Sequence, residues 1–147
     1  MAETAVRNAA GAKTPWHVWV VGILSLLWYL SGAYVIMLAQ HGTYPGLPAD
    51  EAAYYAAKPL YLELIADIAL LAGIAGSVAL LMRRAWAVPL YAVLAAAVLL
   101  GHALELAGGT SRAFANQGAM IATVVILAWA VLNWLHARAM QRRGVLR

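Results

Sequence analysis

"KPLYLELIADIALLAGIAGSVALLMRR", residues 58–84, opens on a lysine and a proline and closes on two arginines. Between them runs an apolar stretch that carries two carboxylates, Glu63 and Asp67. At ~1.5 Å per helical residue such a stretch crosses the ~30 Å hydrocarbon core of a bilayer. It therefore reads as a membrane-spanning helix over 59–82, with acids in a medium that disfavours them.

The rest of the chain repeats the pattern. Apolar stretches at 17–40, 85–107 and 114–137 are each long enough to span. Of the 147 residues, 65% are hydrophobic and 11% charged, too apolar for a soluble domain of this length. The expectation is an all-α, polytopic membrane protein: one domain, an antiparallel bundle of four transmembrane helices after a flexible N-terminal segment at 1–15. The run at 17–40 is too long for a signal peptide and lacks a small-residue cleavage site. The absence of cysteine excludes disulfides, thiolate metal sites and cysteine nucleophiles.

The net charge is +4, and its distribution argues for orientation, not nucleic-acid binding. Arg7, Lys13, Arg83, Arg84, Arg138, Arg142, Arg143 and Arg147 share one side of a four-span topology. With Lys58 and Arg112 on the other side they account for all 10 basic residues. The positive-inside rule then places both termini in the cytoplasm. Trp16, Trp19, Trp86 and Trp134 near one set of helix ends, and Tyr44, Tyr54, Tyr55 and Tyr61 near the other, are suited to the two interfaces. In the long outer loop "PADEAAYYAA" reads as a short interfacial helix.

The runs "WVVGILSLLWYLSGAY" (19–34), "GSVALLMRRAWAVPLY" (76–91) and "RAMQRRGVLR" (138–147) resemble a family of small bacterial four-helix integral membrane proteins, many of them labelled "sugar transporter". Lys58-Pro59 and Gly76-Ser77 fall in matching places. The resemblance implies the four-helix fold and an inner-membrane location, and only weakly implies transport. It brings no catalytic residues. The family pattern has apolar or aromatic residues at 63 and 67, so both acids are a feature of this chain.

Depth along the helices groups four polar residues in the outer leaflet. With helix midpoints near Leu71 and Ala96, Asp67 lies ~6 Å, His102 ~9 Å, Glu63 ~12 Å and Glu105 ~13 Å from the midplane. Spacings of i,i+4 and i,i+3 put each pair on one helix face. A polar cluster of Glu63, Asp67, His102 and Glu105 is the expectation, with Asp67 facing the interior against His102. Glu63 is expected to snorkel to water or meet Lys58. Below this level the facing positions are apolar, so the inner half is expected to be dry and without a through-path. Ala66, Ala69, Gly73, Gly76 and Ser77 form a small-residue face that lets helices approach closely, within the chain or in an oligomer.

No catalytic set, phosphate loop or metal motif stands out, and no cofactor is expected. The leading expectation is a non-catalytic accessory subunit of a larger membrane complex, or a self-associating protein. The alternative is a small oligomeric transporter, proton-linked through Asp67. A metal- or haem-dependent redox protein comes third.

Overall fold

The computed structural model describes residues 14–46, 48–109, 111 and 117–147, and the side chain of Asp50 is not among what it describes. Arg7, Lys13, Arg112 and Asn116 lie outside these residues, as does nearly all of the N-terminal segment.

Among the described residues there are five helices and no strand: α1 (Trp16–Gln40), α2 (Ala49–Ala57), α3 (Leu60–Leu81), α4 (Ala87–Ala107) and α5 (Gln117–Arg142). All but α2 are long and apolar enough to cross a membrane, as in a multi-pass membrane protein. The expected boundaries differ most at α5, which runs five residues past 137. Ala137 and Met140 are buried there, 0% and 2% exposed, so the polar-looking "HARAMQR" still presents an inward edge at helical spacing.

Three helices stop in the same way. At the end of α3, Arg84 N donates to Ala79 O (2.8 Å) and Arg83 N to Leu80 O (3.0 Å). At the end of α5, Val145 N donates to Met140 O and Gly144 N to Gln141 O, both at 3.0 Å. Thr43 N and Gly42 N repeat the pattern after α1. These are paired C-terminal caps that require a left-handed residue. Gly42 and Gly144 supply it with φ of 64° and 71°, and Arg83 with a φ of 55°.

The two caps at one end of the molecule bring distant segments together. The tail after α5 folds back and bonds to the α3–α4 turn: Ala85 N donates to Arg147 O (2.8 Å) and Arg147 N to Arg83 O (2.9 Å). Val145 and Leu146 are buried beneath it. Arg83 Nη1 also reaches Thr14 Oγ1 (3.1 Å). We call this the tail end, and the opposite end, where α1 leads into α2, the loop end.

Helix α1 packs on α3, α3 on α4 and α4 on α5. The small-residue face of α3 receives aromatic rings from both sides. A Cβ on Gly73 would lie 2.8 Å from Tyr29 ring atoms, and one on Gly76 would lie 3.0 Å from Tyr91 Cδ1. Ala69, Gly73, Gly76 and Ser77 are buried within the chain. Their smallness thus serves packing inside this protein.

The expected dry inner half is not apolar. Ser25 Oγ donates to Asn133 Oδ1 (2.6 Å), and Asn133 Nδ2 donates to Tyr29 OH (3.2 Å) and Trp129 O (2.8 Å). Beside them Tyr91 OH donates to Ser77 Oγ (3.0 Å), which donates to Gly73 O (2.7 Å). All five side chains are 5% exposed or less. They satisfy one another across α1, α3, α4 and α5, as buried polar groups must where no water replaces a lost partner.

Candidate functional site

The rings of Tyr29 and Tyr91 fix the rotation of α3, and this decides which polar side chains meet. Asp67 and Gly76 are nine residues apart in sequence, about two and a half turns, so they occupy opposite sides of the helix. With Gly76 against Tyr91, Asp67 falls beside the outward arc of Leu64, Ile68 and Leu71, which are 52%, 51% and 67% exposed. Glu63 and Asp67 are half-buried at the edge of that arc. Neither makes a hydrogen bond or ion pair to another described residue. The expected Asp67–His102 contact is absent: similar depth does not bring two residues together when helix rotation turns one of them outward. Substitutions at 67 and 102 should then act independently. Asp67→Ala and His102→Ala are expected to be additive within about 0.5 kcal/mol in a detergent unfolding cycle. Asp67→Leu should leave the isolated chain no less stable, and a loss above about 1 kcal/mol would show that the carboxylate has a partner within the chain.

The other two predicted residues do come together, with partners the depth estimate left aside. Glu105, 8% exposed, accepts a hydrogen bond from Tyr54 OH at 2.6 Å. Lys58 Nζ lies 3.3 Å from the same carboxylate, the two side chains being 13% and 11% exposed. His102 Nδ1 stands 3.6 Å from the other oxygen, too far for a direct hydrogen bond.

The local sequence explains each placement. Helix α2 begins after Pro48, whose carbonyl accepts from Glu51 N and Ala52 N, and one and a half turns later it offers Tyr54. Lys58 precedes Pro59, which disfavours helical backbone at Lys58. Lys58 is extended at φ −67°, ψ 126°, so it ends α2 and stands at the entrance of α3. Its ammonium crosses to α4 and also lies 5.6 Å over the Tyr54 ring. The expected partner of Lys58 on α3, Glu63, is not the one it takes. His102 and Glu105 share the inward face of the last turns of α4. The one signal for this in the sequence is that Lys58 is the sole cation beside the short loop helix.

Behind the cluster lies a cavity of about 260 Å³ among α1, α3 and α4, with Ile126 of α5 closing one side. Lys58, His102 and Glu105 line its loop end. Small residues make the space: Gly32 on α1, Ala66 and Ala69 on α3, Ala97 and Gly101 on α4. Tyr29 and Leu94 lie at its tail end, beside the hydrogen-bonded layer. Glu63 and Asp67 do not line it. A cavity of ~150 Å³ holds a benzene ring, so this one has room for a larger molecule. His102 Nδ1 is buried and has no hydrogen-bond partner.

No known protein family, curated protein or solved structure matches this chain. Among the described residues no three of His, Cys, Asp and Glu come together as a metal site. The Glu105 carboxylate is engaged by a cation and a phenol, which leaves it a poor base or nucleophile. What the arrangement offers is an apolar chamber with a charge-balanced polar head and one unused ring nitrogen.

Proposed function

We propose that this chain is a non-catalytic multi-pass protein of a bacterial inner membrane that holds a lipophilic small molecule by a neutral, hydrogen-bonding head. The observation that carries the reading is the buried His102 Nδ1, 3.6 Å from Glu105 and without a hydrogen bond, at the polar end of an apolar cavity. Lys58 is offset by Glu105, so a charged head gains little net attraction there. An alcohol or carbonyl head would supply the hydrogen bond that His102 lacks and leave its apolar body among Gly32, Ala66 and Ala97. The basic residues at the tail end support a topology with that end in the cytoplasm and α2 at the outer interface.

Native mass spectrometry of protein extracted in mild detergent tests this. A retained molecule, lost in Ala66→Phe, which fills the cavity, and weakened in His102→Phe, which keeps its volume, is the expected result. A wild-type chain that carries nothing beyond bulk phospholipid, and whose mass spectrum is the same in both variants, would overturn the reading.

A second reading rests on a different observation, the two half-buried carboxylates at the edge of α3's outward arc. An accessory role in a larger membrane complex would give Asp67 the polar partner that the chain itself does not provide. Crosslinking in native membranes should then yield a heteromeric product from position 67 that Asp67→Leu removes, and monomer alone would count against it. Proton-linked transport draws less support, because the cavity ends against a layer whose buried polar groups are already bonded to one another.

A further inference from the structure

Helix α5 has two unlike halves. Toward the tail end it turns Ala130, Asn133, Ala137 and Met140 into the interior, and all four are buried. Toward the loop end none of residues 117–126 is buried. Successive helical residues point in every direction about the axis, so no side of this half is sunk into the bundle. The contacts between α5 and α1 follow the same division. The Ser25–Asn133 and Asn133–Tyr29 hydrogen bonds, at 2.6 and 3.2 Å, belong to the tail half of α5. So do the ring contacts of Trp28 with Trp129 and of His17 with His136, at 6.5 and 5.2 Å between centroids. Otherwise α5 packs on α4, and α1 packs on α3.

The cavity lies beside the open half. Gly32 and Ile36 line it from α1, and among the described residues α5 gives it Ile126 alone, itself 38% exposed. The way out beneath α2 is latched. Lys58 and Tyr54 meet Glu105 there, and Leu62 beside them is 3% exposed. Opening that side breaks a buried ion pair. Parting α1 from the loop half of α5 disturbs apolar contact only. A hydrocarbon chain in such a mouth is in surroundings like those of the bilayer, and water gains nothing by entering it.

From this geometry we infer that the cavity opens sideways into the bilayer, between the loop halves of α1 and α5, and takes a long-chain alcohol or ketone from the leaflet around the loop end. The head reaches His102, and the chain passes out between Ile36 and Ile126. The inference rests on the cavity reading above. It adds the route and narrows the ligand to a chain-bearing lipid, not a compact solute arriving from water.

The chain has no cysteine, so a bismaleimide can close the mouth at two introduced thiols. Ser25 and Asn133 mark one level of the α1–α5 pair. About three turns toward the loop end, on the same helix faces, are Ile36 and Ala122. The full chain carrying Ile36→Cys and Ala122→Cys is linked either before or after exposure to tritiated dodecanol in detergent. Retained label is counted after washing, above the level held when Ala66→Phe is added to the same pair. Linking first should lower retention about tenfold, and linking last should preserve label through washing that strips the unlinked protein. Uptake and loss that are equal in linked and unlinked protein would overturn the lateral route and leave the cavity reading standing. Loss of label in both orders would also overturn it, since closing the gap would then destroy the site and not seal it. Unlinked protein that holds no dodecanol above the Ala66→Phe level would overturn the cavity reading and the inference together.

Discussion

Gly73→Val should cost more than about 3 kcal/mol and leave most of the protein unfolded or misassembled when extracted. A Cβ at this position would meet Tyr29 Cδ1 and Cγ at 2.8 Å and Cδ2 at 2.9 Å, closer than carbon atoms approach. The ring borders the cavity on one side but is tethered. It is 5% exposed, and its hydroxyl accepts from Asn133 of α5 at 3.2 Å. To relieve the clash α1 must move away from α3, and that movement strains the Ser25–Asn133 hydrogen bond as well. Replacing a helical glycine ordinarily gains up to ~1 kcal/mol, too little to offset this. The measurement is unfolding in mixed micelles followed by tryptophan fluorescence. Adding Tyr29→Ala should recover part of the loss, because it vacates the space the valine needs. A Gly73→Val protein as stable as wild type would mean that α1 and α3 do not approach as described.

Glu105→Ala should destabilise by about 2–4 kcal/mol. The carboxylate is the common acceptor for Tyr54 and Lys58, so its loss removes the acceptor of a half-buried phenol and strands an ammonium that is 13% exposed. Breaking a buried pair from one side costs more than the pair contributes, since the remaining charge has no counterpart. Lys58 can recover some hydration by extending toward the interface, which places the estimate below the top of the usual range. Glu105→Gln keeps an acceptor for Tyr54 and should cost about half as much. Lys58→Met combined with Glu105→Gln should cost less than the sum of the two single changes, because neither charge is then left alone. Proteolysis within 49–57 should rise in Glu105→Ala, because Tyr54 and the adjoining Lys58 both reach Glu105 of α4. An unchanged cleavage rate would show that α2 is held by other contacts.

The four long helices were legible in the sequence because length and apolarity suffice to mark them. The short loop helix was legible too, from Pro48 and the acids that follow it. The site was legible only in part. Depth along a helix can be counted from its ends, and it groups His102 and Glu105 toward one end of α4. Contact also requires rotation about the helix axis, which no count supplies. In α3 that rotation is fixed by two tyrosine rings, from α1 and α4, seated on Gly73 and Gly76. Neither ring is marked in the sequence as a partner of those glycines. The small-residue face was visible, but what fills it was not, and so Asp67 was placed inward when it belongs beside the outward arc. Lys58 was read against the nearest acid in its own helix, whereas the break before Pro59 sends it across to α4. The Ser25–Asn133 layer escaped notice because its members are single polar residues on different helices, each unremarkable in its own helix.

The bridge between the α3–α4 turn and Arg147 sets an order on the making of this protein. The turn leaves the ribosome before α4 and α5 have been synthesised, while its partner segment at Arg147 follows α5. Until then the amide of Ala85 and the carbonyl of Arg83 depend on water. The earlier helices can therefore form without this contact, and its closure requires that α5 is in place. The bridge is thus a late product of synthesis, absent from every intermediate that lacks α5.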